Sequence, residues 1–216
     1  MPFTKEQFIN VFVQYNDSVF PAQIFFVLLA LAAIYFSAGK YSIKNKAVML
    51  ILSFLWLWIG VVYHLIFFAK INPGAYLFSG LFILQGIFFI ISFLRGNVIF
   101  EFKKNTFSFL GMILILYALI IYPLLGYFFG HVYPASPTFG LPCPTTIFTF
   151  GILLMAAKRT PKYLLIIPGL WSLLGVSAAF QFGIYEDIGL LASALIGITA
   201  IYMKDRKLPE SQLSKA

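Results

Sequence analysis

The stretch FGLPCPTTIFTFGILLMAA, residues 139–157, is the least regular apolar segment of the chain and decides how often the chain crosses a membrane. It contains the only cysteine, Cys143, between two prolines. The region around it, residues 105–157, has no Asp, Glu, Lys or Arg and is too long for one helix. We therefore divide this region into a crossing at residues 107–129 and a further crossing that begins near Pro144.

The composition indicates that most of the protein surface faces lipid. Hydrophobic residues make up 61% of the 216 residues and charged residues only 10%, whereas soluble domains carry about a quarter charged residues. The net charge of +8 comes from small groups of basic residues between apolar segments, which is typical of membrane topology and argues against a nucleic-acid partner. The expected partner is the lipid bilayer.

The apolar segments predict an all-α bundle of seven transmembrane helices in a single domain, residues 1–216. The predicted crossings are residues 18–39, 47–69, 71–94, 107–129, 144–157, 163–180 and 188–203. Thr4 and Gln7 fit a capping box, and apolar residues follow at helical spacing. Residues 1–17 are therefore predicted to form an amphipathic helix, either at the outer membrane surface or packed on the bundle.

The distribution of positive charge predicts the orientation. Thirteen of the fifteen Lys and Arg residues lie in the loops after the first, third and fifth crossings or in the tail, residues 204–216. Only Lys5 and Lys70 fall on the opposite side. Because short cytoplasmic loops carry the excess of Lys and Arg, the N-terminus is predicted outside and the basic tail in the cytoplasm. A re-entrant fifth segment would reverse this asymmetry, so a six-crossing arrangement is disfavoured.

Polar residues cluster toward the outer half of the predicted bundle. His64 lies about 7 Å inside the outer boundary of the second crossing, and Gln85 lies near the middle of the third. Asn72, Cys143 and Thr145 fall at outer ends or in outer loops. Since a polar group in hydrocarbon costs several kcal/mol unless it is satisfied, these five residues predict an outward-facing polar pocket that binds a small solute or metal ion.

The fifth crossing supports this pocket. Counted from Lys158, Cys143 lies about 22 Å above the inner boundary, short of the roughly 30 Å of a hydrocarbon core. Interrupted helices of this kind often mark binding sites in transporters. Thr145 and Thr146 lie at the positive end of the helix, which favours an anion or a Cys143 thiolate. The alternative is that the prolines only stiffen a loop and that Cys143 is a small buried residue.

Two kinds of chemistry remain open for the cysteine. Cys143, His64 and His131 together would bind a soft or borderline metal ion, or Cys143 would act as a nucleophile with a histidine base. No pair among them has ligand spacing in the sequence, and His131 is expected to be a solvated loop residue. The second hypothesis is a membrane-embedded enzyme that uses Cys143 with a histidine, and no cofactor is assigned. Glu186 and Asp187 lie just before the seventh helix and are expected to cap its N-terminus, where acids interact favourably with the helix dipole, rather than to bind metal or relay protons.

Small residues recur at helical spacing on the seventh crossing, at Gly189, Ser193 and Gly197. Ridges of small residues allow helices to approach closely. We expect this ridge to pack inside the bundle, and the alternative is a seam between copies in a homo-oligomer. A structural or partner-binding membrane subunit is the third hypothesis, and it predicts a well-packed bundle without a recess.

Three segments carry a resemblance to a known family. They are MPFTKEQFINVFVQYNDSVFPAQ (residues 1–23), WLWIGVVYHLIFFAKINPGAYLF (56–78) and FGLPCPTTIFTFG (139–151). They are similar to a family of small bacterial integral membrane proteins of unknown function. The resemblance implies a location in the bacterial cytoplasmic membrane, and it implies no activity and no site residues. The first hypothesis combines this resemblance with the predicted pocket: the chain is a multi-pass membrane protein with a transporter-like or sensor-like role.

Overall fold

The structure is a computed structural model that describes residues 2–208. Within this range the regular structure is helical, apart from isolated β-bridges, so the all-α prediction is confirmed. The helices in chain order are α1 Lys5–Val19, α2 Ala22–Ala38, α3 Lys44–Lys70, α4 Ala75–Arg95, α5 Thr106–Phe128, α6 Pro142–Leu154, α7 Tyr163–Phe182 and α8 Tyr185–Arg206. Each predicted crossing coincides with one of the helices α2 to α8. Residues 209–216 of the predicted tail lie outside the described residues.

Several helices depart from regular α geometry. α3 is a π-helix over Ile59–Phe67 and ends in a 3₁₀ turn at Phe68–Lys70. α5 contains a π-turn at Tyr117–Ile121, and α8 begins with a 3₁₀ turn at Tyr185–Asp187. Turns of π type are rare and frequently lie at functional sites. The irregular segments lie toward the same end of the bundle.

The two ends of the bundle differ in charge. The starts of α2, α4, α6 and α8 and the ends of α3, α5 and α7 form one end, which we call the cavity end. The opposite helix termini form the basic end. Among the described residues, every Lys and Arg other than Lys5 and Lys70 lies at the basic end.

The length and surface of the helices are compatible with a membrane protein. Within the described residues, α3, α4, α5, α7 and α8 are each long and apolar enough to cross a membrane, and α1 with α2 adds a sixth span if this pair, bent by 84°, counts as one. α2 has 17 residues and α6 only 13. Large apolar side chains are exposed along the helices, among them Leu28, Leu77, Phe109, Leu124, Leu173 and Leu195. Exposed apolar surface of this extent indicates a lipid or protein environment.

α6 is the central helix, and protein surrounds it on all sides. It packs against α2, α3, α5, α7 and α8, and residues 144–154 are all buried. Gly111 of α5 meets Gly151 of α6, where a Cβ on either glycine would lie 2.6–2.8 Å from the carbonyl oxygen of the other. The absence of both side chains allows the two backbones to touch. Because α6 contacts protein, its length of about 20 Å need not match the roughly 30 Å of a hydrocarbon core.

The basic end of α6 is capped by Lys204 of α8. The Lys204 ammonium is buried, donates to the carbonyl oxygens of Leu153 (3.4 Å) and Ala156 (2.8 Å), and lies 3.8 Å from Asp205 Oδ1. A cation at a helix C-terminus satisfies free carbonyls and the negative end of the helix dipole. The sequence analysis assigned Lys204 to the basic tail; in the structure it belongs to α8, which continues to Arg206, and the Lys204 side chain is buried.

The small-residue ridge of α8 packs within the chain. A Cβ on Gly189 would overlap the Tyr117 phenol, and one on Gly197 would lie 2.9 Å from Phe150 Cβ. Ser193, between them on the same face, is buried. The ridge is therefore covered by α5 and α6.

α1 lies across the cavity end. Its predicted capping box is present, since Gln7 N–H donates to Thr4 Oγ1 (3.3 Å) and Thr4 N–H donates to Gln7 Oε1 (2.9 Å). Its apolar face, with Phe8, Phe12 and Tyr15, is buried against the bundle. Of the two placements that the sequence left open, the structure shows packing on the bundle.

Asn16 fastens the corner between α1 and α2 to the loop between α5 and α6. Its Nδ2 donates to the carbonyl oxygens of Pro134 (2.7 Å) and Ser136 (2.9 Å). Its Oδ1 accepts from the Thr138 hydroxyl (2.8 Å) and from Gln23 Nε2 (3.2 Å). These bonds hold the long loop over the start of α6, even though it has little regular structure of its own.

Candidate ligand-binding cavity

An aromatic cavity of about 170 Å³ lies at the cavity end, enclosed by α1, α3, α4, α6 and α7. Its wall consists mainly of the rings of Phe3, Phe8, Phe12, Tyr63, Phe68, Phe78, Trp171 and Phe182. The polar residues of the lining are Asn72, Cys143, Ser177 and Asp187. The sequence predicted a polar pocket at this end, and the structure has a largely apolar one, because the aromatic residues of α1 and α7 face inward.

The volume of the cavity limits its ligand. An apolar cavity of about 150 Å³ holds benzene, whereas drug-sized ligands occupy about 300–1,000 Å³. A cavity of about 170 Å³ therefore has room for a molecule of one ring and excludes a nucleotide or an oligosaccharide.

α1 and the end of α7 close the cavity with stacked rings. The Phe8 and Phe182 ring centroids are 4.6 Å apart, and those of Phe3 and Phe182 are 5.3 Å apart. Offset stacking at these distances is favourable beyond the buried area alone. These rings form the wall of the cavity on the side of α1.

Asp187 supplies a carboxylate to the cavity. It is 2% exposed, and the Tyr122 hydroxyl donates to its Oδ1 at 2.5 Å. The Cys143 thiol lies close to the same carboxylate. This short hydrogen bond from a buried tyrosine holds Asp187 in a fixed position at the cavity floor.

Glu186 is buried beside Asp187 and makes a separate pair. Its Oε1 lies 2.9 Å from His131 Nδ1, and its Oε2 has no hydrogen-bond partner among the described residues. Gly126 leaves room for this carboxylate, since a Cβ there would lie 3.1 Å from Glu186 Oε1. Two expectations are corrected here. His131 is buried rather than solvated, and neither acid caps α8 with its side chain, because Glu186 pairs with His131 of the loop after α5 and Asp187 accepts from Tyr122 of α5.

His64 lies behind the cavity wall. It is fully buried in the π-segment of α3, with the rings of Phe82, Trp171 and Phe78 centred 4.7, 5.3 and 5.8 Å from its own. Neither ring nitrogen has a hydrogen-bond partner among the described residues. An unpaired buried polar group is unfavourable, and here it lies directly behind the rings that line the cavity.

The residues predicted for the pocket do not all lie in the cavity. Asn72 and Cys143 line it. Thr145 is buried on α6 with an unpaired hydroxyl, and Gln85 Nε2 donates to the carbonyl oxygen of Leu164 (3.2 Å) toward the basic end. Counting residues from a boundary gives the depth of a side chain, and it does not give the direction in which that side chain points from its helix.

Hydrogen bonds do not link Cys143 to His64 or His131, the side chains proposed for metal binding or catalysis, among the described residues. Within residues 2–208, no three His, Cys, Asp or Glu side chains lie close enough together to hold a metal ion. His131 is paired with Glu186, and the His64 nitrogens are unpaired. Neither histidine therefore hydrogen-bonds to Cys143 in this structure.

The aromatic wall and Asp187 were missed by sequence reasoning. The spacing of Phe8 and Phe12 indicated an apolar face, but aromatic residues are 19% of the chain, so this signal is not specific. Asp187 accepts a hydrogen bond from Tyr122, which is 65 positions away in the chain, and no local sequence pattern predicts that contact.

The family comparison covers nearly the whole chain. The model of a family of unknown function, DUF6064, matches residues 5–211. No curated protein and no solved structure matches the chain. Because the match spans nearly the whole chain, the chain belongs to the DUF6064 family of unknown function.

Proposed function

We propose that the chain is a multi-pass membrane protein that binds a small one-ring solute in the aromatic cavity, in a transporter-like or sensor-like role. The observation that carries this proposal is the cavity itself, about 170 Å³ in volume, walled by aromatic rings and floored by Cys143 and Asp187. A structural subunit has no need for such a recess, since a void in a packed bundle is unfavourable.

In this proposal α2 to α8 cross the bacterial cytoplasmic membrane, with the cavity end outside. The concentration of Lys and Arg at the basic end supports this orientation. α2, with 17 residues, is at the lower limit for a spanning helix. α6 passes from one end to the other inside protein, as interrupted helices of transporters do.

The lining residues favour a ring that carries an amine or hydroxyl group. Aromatic side chains attract both apolar rings and cations. Asp187 is the carboxylate among the lining residues, and it accepts hydrogen bonds from a donor group. A one-ring amine satisfies both features, with its ring among the phenylalanines and its ammonium at Asp187.

Cys143 permits a direct test because it is the only thiol in the chain. We expect millimolar benzylammonium to slow the reaction of Cys143 with N-ethylmaleimide at least threefold in the purified protein. Asp187→Asn should weaken this protection about tenfold, because a charge-assisted hydrogen bond is lost, and should leave protection by toluene unchanged. Cys143→Ser serves as the blank.

A matched pair of substitutions separates cavity filling from general disturbance. Ala178→Phe places a ring in the cavity wall and should slow labelling without any added probe, whereas Ala192→Phe on the exposed face of α8 should not. If labelling is equal in both variants, or occurs only after denaturation, the cavity is not a binding site.

The orientation requires a separate test in cells. A small, charged, membrane-impermeant methanethiosulfonate should modify Cys143 in intact cells. Modification only after the cells are opened would place the cavity end in the cytoplasm and contradict the orientation.

A further inference from the structure

A second cavity, which we call the basic groove, opens at the other end of the bundle. It has a volume of about 820 Å³ and lies between the end of α4, the start of α7 and the last turns of α8. Four cationic side chains line it: Arg95, Arg159, Lys162 and Arg206. Among the described residues, none of the four forms an ion pair with a carboxylate.

The carboxylate that lines the basic groove is already engaged. Asp205 Oδ2 accepts the Thr160 N–H (3.0 Å), and Oδ1 lies 3.8 Å from the buried Lys204 ammonium. Asp205 thus compensates the charge of Lys204 and also faces Arg159, so that among the described residues the groove has four cations in its lining against this one carboxylate. Unbalanced positive charge in a recess attracts an anion more strongly than the same charge spread over a convex surface.

Two of the cations share one aromatic ring. The Arg206 guanidinium lies 4.8 Å from the centroid of the Tyr202 ring, and the Lys162 ammonium lies 6.0 Å from it. The ring therefore holds cations from α7 and α8 near each other, although like charges repel. A phosphate group between them would remove this repulsion, and guanidinium groups bind phosphate with two parallel hydrogen bonds.

The floor of the basic groove is apolar and continues along α8. Leu165 and Ile198 line it, and a Cβ on Gly169 would lie 3.1 Å from Ile198 Cδ1, so α7 and α8 touch there. Leu195, one turn before Ile198, is 63% exposed, and Tyr202, one turn after it, is 51% exposed. An apolar row thus runs from the cationic mouth of the groove toward the middle of the helix.

We propose that the basic groove binds the phosphate group of an anionic phospholipid, with an acyl chain along the Leu195 and Ile198 row. Within residues 2–208, the groove combines an excess of cations with an adjoining apolar surface, and a phospholipid presents the complementary pair of features. Basic pockets between helices on the cytoplasmic side are suited to anionic headgroups, and that leaflet is rich in them. This site is separate from the aromatic cavity, so its test does not depend on the solute proposed there.

The test uses the purified full-length protein in a neutral detergent and counts bound lipid by native mass spectrometry. Dioleoylphosphatidylglycerol should bind, and dioleoylphosphatidylcholine should bind at least tenfold more weakly. Arg159→Gln with Lys162→Gln should weaken phosphatidylglycerol binding by roughly 25-fold, about fivefold for each cation removed. Both side chains are exposed, so folding should be retained, which the melting temperature without lipid checks.

A charge-matched control distinguishes a site from diffuse attraction. Lys40→Gln with Lys104→Gln removes the same charge from exposed positions at the same end but outside the basic groove, and should change binding less than threefold. Equal losses in both double variants would overturn the proposal. So would binding of glycerol 3-phosphate as tight as that of the lipid, which would indicate a site for soluble phosphate.

Discussion

The cavity end and the basic end handle charge in opposite ways. At the cavity end, Glu186 and Asp187 are almost fully buried, and each is paired with a side chain from a distant part of the chain. At the basic end, Lys204 is buried within the bundle, while the four groove cations form no close ion pair with a carboxylate in the part of the chain that the structure describes. The difference indicates that the cavity end is organised by fixed internal contacts, whereas the basic groove is complete only when an anion from outside occupies it.

The largest effect should come from the buried charge of the basic end. Lys204→Met removes the donor to Leu153 and Ala156 and leaves Asp205 uncompensated, so we expect a loss of about 4 kcal/mol in the free energy of unfolding. Unfolding in mixed micelles of increasing denaturing detergent measures this loss. Lys207→Met, which removes an exposed cation from the same helix end, serves as the control and should cost less than about 1 kcal/mol. Similar losses in both variants would show that Lys204 is not a structural cap.

The next largest effect tests the packing near the cavity end. Gly189→Ala puts a methyl group where the Tyr117 phenol lies, and we expect a loss of about 3 kcal/mol from overpacking. Gly80→Ala is the control, because a Cβ there meets no atom within 4 Å. That change should be neutral or stabilising, since Ala is the better helix former. If the two variants have equal stability, α5 and α8 are not in contact at Gly189.

Asn16→Ala tests the hydrogen bonds that hold the loop over α6. The substitution leaves the carbonyl groups of Pro134 and Ser136 without their donor, so we expect a loss of about 2 kcal/mol and faster proteolysis between α5 and α6. Limited proteolysis with peptide mapping locates the cleavage. The neighbouring exposed Asp17→Ala should leave the cleavage rate within twofold of the original protein. Unchanged cleavage in Asn16→Ala would contradict the role of this side chain.

The smallest effect concerns an ion pair on the surface of the basic end. Lys103 Nζ lies 3.4 Å from Glu101 Oε2, and both side chains are about half exposed. Glu101→Gln should change the free energy of unfolding by less than about 0.5 kcal/mol, because solvent screens such pairs. The same detergent titration measures this change in the free energy of unfolding. A loss as large as that of Lys204→Met would contradict the distinction between the buried Lys204 and this exposed ion pair.

The sequence predicted the helices because hydropathy acts locally. Every apolar segment became a helix, and the start of α6 at Pro142 lies close to the predicted Pro144. The capping box at Thr4 and Gln7 was also readable, since its partners are three residues apart.

The site was less predictable because its contacts are distant in sequence. His131 and Glu186 are 55 positions apart, and a lone histidine in a polar loop gave no indication of an acidic partner. Gln85 was assigned to the pocket by depth alone, and it points instead toward Leu164. The rotation of a helix about its own axis is set by packing against neighbouring helices, and a hydropathy profile carries no information about that packing.

The burial of α6 also has a consequence for biogenesis. A helix of 13 residues with proline at both the first and third positions is a poor candidate for independent insertion into lipid. Its contacts with α7 and α8 form only as those helices are synthesised, and the Lys204 contact to the carbonyl groups of Leu153 and Ala156 forms last. We therefore expect that the start of α6, and with it the floor of the aromatic cavity, reaches its final position only after α8 has been synthesised.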